Sequence, residues 1–459
     1  MAFFIVRPSG SPGVAMRDFE AFYGAGLTSN RGEDPYSRAI WKSERTIPGI
    51  DGSHDETLPF VGPPAGLPLW RALARLPFDV AGRIWGAILA GALLIVVFGS
   101  LSLVGAPRTA FTVLGAAMLA ASFGPLISDV ALGQIALISA AGIVATLLLL
   151  RTRAWRASAL TSAVAALQPS LVLPLFARIG DLRAFVGLAL GAVLFLCCML
   201  AYDGFGGLMQ YVHLLSLHGA AEASTVIQIT PASVARGFGA PPQDTHLIAA
   251  ASALFAIAAV ALASSRVHDP VVRVCIASCA LPFAIPFVHE HDLVLVLLPA
   301  IYCAIRARGA VLAFSAIAVT ACGVDWLGLG QRPNGEVQSV ILAVACALAF
   351  ALTAKLQSES FAGLIVPFVV AAVAIVAHGH PVPVWPDTLP PHWQPPPSAT
   401  IGEVWALEQS VAGLTVKQPV WSALRALVLL SVALVGVATY LVGRLAARHP
   451  ERSAPPSSS

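Results

Sequence analysis

Charge is what this chain has least of. Asp, Glu, Lys and Arg make up 11% of its 459 residues, against about 25% in a soluble globular domain. A water-soluble fold of this size could not cover its surface with so little charge, so the bulk of the chain is expected in lipid. The net charge of +3 gives no basic stripe for nucleic acid, and the arginines are better read as topology signals. Paired cysteines are lacking too. Cys197, Cys198, Cys275, Cys279, Cys303, Cys322 and Cys346 all sit in apolar runs, without the spacing of a zinc or haem site, which suits small buried thiols. No cleavable signal peptide is visible, because Met1 to Val6 is too short for its apolar core. No fixed-period repeat stands out.

Apolar residues are abundant, at 57% with a mean hydropathy of +0.80. Residues 7–84 are mixed, Pro/Gly-rich and polar, with short amphipathic pieces such as Leu69 to Ile84. From Trp85 onward, segments long enough to cross a bilayer recur near 85–105, 109–127, 133–150, 154–178, 184–202, 246–266, 270–288, 292–307, 309–326, 337–354, 360–377 and 421–443. Arg444, Arg448 and Arg452 put the C-terminal tail on the cytoplasmic side, and counting back puts Arg306/Arg308, Arg266/Arg273 and Arg178/Arg183 there as well. Residues 151–156 carry three arginines and belong on that side too, which leaves one apparent span between two inner loops. The conflict disappears if 157–177 is a broken hairpin turning at Gln168-Pro169, a break tolerated where it lines a protein cavity. The loop 381–398, with eight prolines and with Trp385 and Trp393, reads as an extended cover, and the Ser/Pro-rich tail as disordered.

On this topology, polar residues gather at the outer helix ends: Asp18 and Glu20, Asp129 and Gln134, Gln168, Arg236, and His289-Glu290-His291-Asp292. Ionisable groups at membrane depth are costly and mark function. Five separate segments on one side argue for one site.

The ordered motifs resemble glycosyltransferase family 87, within the GT-C class of polyprenyl-phosphate-sugar-dependent transferases. They are Asp18-Phe19…Tyr23-Gly24-Ala25-Gly26, Asp34-Pro35-Tyr36, Pro63-Pro64 before an amphipathic stretch, Gly133-Gln134 opening a helix, and Pro286 to Leu293. Arg236-Gly237 resembles an arginine of the family's long outer loop. The resemblance covers roughly residues 17–300. Three departures stand out. Little precedes the Asp-Phe motif where the family has a span, Gln168-Pro169 stands where Lys-Pro is usual, and Gly62 where Tyr often precedes Pro-Pro.

The resemblance implies an all-α polytopic membrane protein, a GT-C-like bundle of about 12–13 transmembrane helices. Its expected parts are an outer N-terminal region over 1–84 that carries the motif, a transmembrane module over 85–307, a variable transmembrane region over 308–444 with an outer loop at 379–420, and a tail over 445–459. The implied activity is hexose transfer (mannose first) from a polyprenyl-phosphate sugar to a lipid or glycan acceptor, on the outer face of the cell inner or plasma membrane, with inversion. The implied partners are the lipid-linked donor, a glycolipid or polysaccharide acceptor and the bilayer, without nucleic acid and without cofactor or metal.

Asp18 is the expected general base, with a helix cap as its bland alternative. His289, His291, Asp292, Arg236, Gln168, Gln134 and Tyr23 are the expected substrate-binding residues. His289, Glu290, His291 and Asp292 could instead hold a metal, or be interfacial residues with no ligand. Arg236 could meet a phosphate or a headgroup, Gln134 and Gln168 a sugar hydroxyl or a helix end, and Trp385 and Trp393 a sugar face or the interface. Glu20 is expected to be solvated. The rival readings are a transporter or flippase of lipid-linked sugars and an inactive GT-C-like scaffold.

Overall fold

The computed structural model describes residues 16–48, 57–324 apart from 108, 223, 224 and 226, then 344, 369, 372, 389, 390, 393–413 and 419–448. Apart from 344, 369 and 372, the expected spans 337–354 and 360–377 lie outside the described residues, as do Trp385, Cys346 and the tail after 448. Among the described residues, secondary structure is α-helix and short 3-10 helix with no strand. An all-α polytopic membrane architecture fits.

Helices run α1 Arg17–Asn30, α2 Ala39–Glu44, α3 Leu67–Leu73, α4 Phe78–Leu103, α5 Ala110–Ser122, α6 Gly124–Leu132, α7 Ala136–Arg151 and α8 Trp155–Ala165. They continue with α9 Leu182–Glu222, α10 Pro231–Gly237, α11 Pro242–Arg266, α12 Pro270–Ala284, α13 Leu297–Arg306, α14 Gly309–Gly323, α15 Ile401–Val411 and α16 Pro419–Arg448. Local chemistry sets many starts. Asp269 caps α12 by accepting from the Val271 N–H at 2.8 Å, with Pro270 pre-set at the first helical position. Thr230 and Ser233 form a capping box on α10, as Thr400 and Glu403 do on α15.

Four described helices are long and apolar enough to cross a bilayer: α4, the Leu182–Tyr202 part of α9, α11 and the Pro419–Leu445 part of α16. The pair α5 and α6, bent by 60° at Phe123, makes a fifth. Several apolar runs that look like whole spans in sequence are therefore shorter or broken. Gly124-Pro125 restarts the chain after Phe123 within the expected span 109–127. The expected span 154–178 is α8 followed by a turn at Gln168 and a 3-10 helix at Leu173–Arg178. At 11 residues, α8 reaches only about 16 Å, about half a hydrocarbon core. The broken hairpin that reconciles the arginines is thus the shape this segment takes.

Side chains on α11 such as Leu254 and Phe255 stand more than two-thirds exposed, as a lipid-facing helix requires. Arginines gather at one end of the bundle. Arg306 donates to the Val104 carbonyl (2.9 and 2.6 Å) and Arg151 to the Ser102 carbonyl (2.9 Å), both at the C-terminal end of α4. Arg273 donates to the Val267 carbonyl at 2.7 Å. These loops are the ones that counting arginines assigns to a single side.

Candidate functional site

The opposite end holds a cavity of about 360 Å³. One wall comes from α1, and helical spacing explains its two faces. Phe19 and Tyr23 turn inward, where Phe19 stacks on Trp85 of α4 (6.0 Å between centroids, 11°) and Tyr23 meets Phe78 edge-on. Gly26 allows this packing, because a Cβ there would stand 2.2 Å from the Trp70 carbonyl oxygen of α3. With those rings in the core, Asp18, Ala21 and Phe22 face the cavity. Asp18 sits in the first turn of α1, where the helix dipole favours a carboxylate.

Gln134 donates to Asp18 Oδ2 at 2.6 Å. Its position is set by Gly133, whose φ of +74° ends α6 in a left-handed turn. A Cβ there would lie 2.8 Å from the Cβ atoms of both Met16 and Phe19, and the Trp85 indole donates to the Gly133 carbonyl at 2.8 Å. Beside it, buried Asp129 accepts from the Leu137 N–H at 3.2 Å and so caps α7.

On the facing wall, Gln168 at the hairpin turn donates to Asp292 Oδ1, while Asp292 Oδ2 accepts the His289 backbone N–H at 2.9 Å. Asp292 therefore fixes the loop from behind. His289 and His291 line the cavity with rings stacked 5.0 Å apart and parallel to within 11°. His289, His291 and Asp292 each bring a possible ligand atom within 4.8 Å of the others. Among the described residues, three buried wall atoms have no hydrogen-bond partner: Gln168 Oε1, His218 Nδ1 and His291 Nδ1. Orphaned polar atoms in a cavity are places where a ligand's polar groups can bind.

Behind His289 lies a carboxylate that sequence reasoning missed. Glu222, at the end of α9 and 1% exposed, meets His289 Nε2 at 3.0 Å and His218 Nε2 at 3.2 Å. It also accepts from Gln228 Nε2 (2.6 Å) and from the Trp405 indole of α15 (3.0 Å). Burial pushes the His289 imidazole down, but Glu222, helped by Asp292 and Asp18, raises it to about 9. Burial pushes Glu222 up, and His218, His289 and Trp405 bring it down to about 2. Burial dominates at His218 and His291, which are held below the ordinary histidine value. The surroundings thus favour a proton on His289 and oppose one on His218 and His291. His218 and Glu222, four residues apart at the end of α9, are the sequence signal that could have found this cluster. Trp405 offers no comparable signal.

Among the expected residues, Asp18, Gln134, Gln168, His289 and His291 come together on the wall, with Asp292 directly behind. Two do not. Tyr23 donates its hydroxyl to the Leu76 carbonyl at 2.7 Å within the aromatic core, and Arg236 donates to the Ala240 carbonyl at 2.8 Å, closing α10. Both are held by nearby backbone and neither lines the cavity. Glu20 is buried, not solvated. Asp34 and Tyr36 are a turn and an aromatic anchor: the Asp34 carboxylate accepts the Tyr36 N–H at 2.9 Å, and the Tyr36 hydroxyl donates to the Gly62 carbonyl at 2.9 Å. Trp393 is half-buried against the core.

The model of glycosyltransferase family 87 matches residues 60–286, just under half of the chain. It is the family that the motifs resemble, and the match indicates a membrane glycosyltransferase. Asp18 and His289 to Asp292 lie outside the matched residues. No curated protein and no solved structure matches the chain.

Proposed function

We propose that the protein transfers a hexose, mannose first among candidates, from a polyprenyl-phosphate sugar to a hydroxyl of a lipid or glycan acceptor, with the cavity on the extracytoplasmic face of the inner or plasma membrane. The observation that carries this reading is the pairing, in one cavity, of a carboxylate held by a single donor with a cationic imidazole. Asp18 keeps one oxygen on Gln134 and can take the acceptor's proton with the other. As the acceptor oxygen bonds to the sugar's anomeric carbon, the bond from that carbon to the phosphate oxygen breaks, and the electron pair leaves with the polyprenyl phosphate. Attack opposite the leaving group inverts the anomeric centre. His289 offers the leaving phosphate a charge-assisted hydrogen bond. Gln168 Oε1 and His291 Nδ1 can meet sugar hydroxyls. Neither of the last two groups needs to titrate.

The division of the chain at 84, 307 and 444 into an outer N-terminal region, a transmembrane module, a second transmembrane region and a tail is likewise proposed. The cavity crosses those limits, since Trp405 also lines it.

The test is transfer by the purified full chain from a panel of radiolabelled polyprenyl-phosphate sugars. One donor should be consumed by the native protein and none by Asp18→Ala, with donor binding retained. Undiminished transfer by Asp18→Ala removes the base from this scheme.

A further inference from the structure

Glu222 has no direct place in the transfer step, yet it is the most fully coordinated buried carboxylate around the cavity. Four donors converge on it, two per oxygen: His218 and Trp405 on Oε1, Gln228 and His289 on Oε2. An indole N–H can only donate. The Gln228 amide cannot turn round, because its Oε1 accepts the Val288 N–H at 2.7 Å. Gln228 is itself held from outside, its carbonyl accepting from Arg425 of α16 at 2.9 Å. A carboxylate in such a setting is held ionised. His218 and Trp405 also line the cavity, but the His218 side chain is only 8% exposed and the Trp405 indole is uncharged. His289, whose side chain is 21% exposed, is the one through which the cluster reaches deep into the cavity wall as charge.

We propose that Glu222 is a positioning residue that keeps His289 cationic and turned to the cavity, making it the fixed positive group that meets the donor's phosphate. This rests on the reading of His289 as the phosphate contact. It also gives the cavity a cation on the wall that carries Gln168, which is uncharged. The groups acting on His289 are Asp18 from α1, Glu222 from α9 with His218 behind it, the Gln228 amide nitrogen 3.0 Å from Nε2, and His291 and Asp292 from its own segment. Asp292 stands 3.9 Å from Nδ1, against 3.0 Å for Glu222 at Nε2, so Glu222 is the stronger partner. Without it, a buried imidazole loses its proton before it carries an uncompensated charge.

The test uses the full chain in nanodiscs with 15N-labelled histidine, the His289 signal being identified by its loss in His289→Gln. In the native protein His289 should hold its proton to about pH 9, and in Glu222→Gln it should titrate below the ordinary value of 6.5. Geranyl phosphate, a sugar-free probe, should bind Glu222→Gln at least about tenfold more weakly at mildly alkaline pH. The double variant Glu222→Gln/His289→Arg should recover to within about threefold, since arginine needs no partner to stay charged. His289 titrating alike in both proteins overturns the proposal, as does a folded double variant that stays as weak as Glu222→Gln. If the titration moves but geranyl phosphate binds no form, the phosphate contact falls. The transfer assay with labelled donors decides the glycosyltransferase reading separately.

Discussion

The two ends of this bundle handle charge in opposite ways. At the arginine end, cations lie on backbone carbonyls at helix ends, as Arg306 does on Val104 and Arg151 on Ser102. Such contacts satisfy the last turn of a helix and suit its dipole. At the cavity end, charges lie on other side chains, and some polar atoms are left without partners: Gln168 Oε1, His291 Nδ1, His218 Nδ1 and Asp129 Oδ2. The first arrangement is nearly complete in itself, with Arg178 the exception: it pairs with the Asp181 side chain and leaves its Nε without a partner. The second carries an energetic cost, about 1–3 kcal/mol for each orphaned atom, which folding alone gives no reason to keep. The difference separates charge that orients a membrane protein from charge that acts on a substrate.

Substitutions at each end can break or sharpen that contrast. The largest expected effect is at Asp18, where Asp18→Asn keeps the shape of the side chain and should lower kcat by about 10²–10⁴-fold with little change in melting temperature. Next is Glu408 of α15, buried and bonded to the Thr57 N–H and hydroxyl. Burial pushes its carboxyl up to about 7, with Thr57 opposing. Because this value lies above the unfolded one of 4.5, the folded state holds the proton more tightly. The contribution is full below pH 4.5 and is lost as pH rises to about 7. Glu408→Gln should remove that slope, a difference on the order of 3 kcal/mol, read as melting temperature against pH. A slope that persists in the variant would place the titrating group elsewhere.

Smaller effects belong to residues held by backbone. Arg306→Ala should lose about 1–2 kcal/mol of stability while kcat/KM stays within about twofold; a large loss of activity would blur the two ends. Tyr23→Phe should cost about 1 kcal/mol and leave donor KM unchanged. A raised KM would return Tyr23 to the substrate.

Much of the cavity was legible because its residues lie in different segments yet share a side. Arginine counting alone groups Asp18, Gln134, Gln168 and His289. The hairpin at Gln168 followed from the same count, against the length of its apolar run. What sequence could not show was which side chains a nearby carbonyl would take. Arg236 and Tyr23 carry the right chemistry, but the Ala240 and Leu76 carbonyls claim them. Nor could it show the second layer. Glu222, Gln228, Trp405 and Arg425 meet across about 200 positions of chain, and no local pattern announces contacts at that separation. Some span boundaries were misplaced for a related reason: hydropathy averages over a break such as Phe123, where Gly124-Pro125 turns the chain by 60°.

The indole of Trp405 has a consequence for the making of the protein. Asp18 is made well before Trp405, and both border one cavity. Throughout translation the wall stays incomplete on the side that α15 closes, and Glu222 lacks one of its four donors. The site is finished only once α15 has been made, so a chain that stalls or is clipped before α15 exposes the motif without the completed chamber around it.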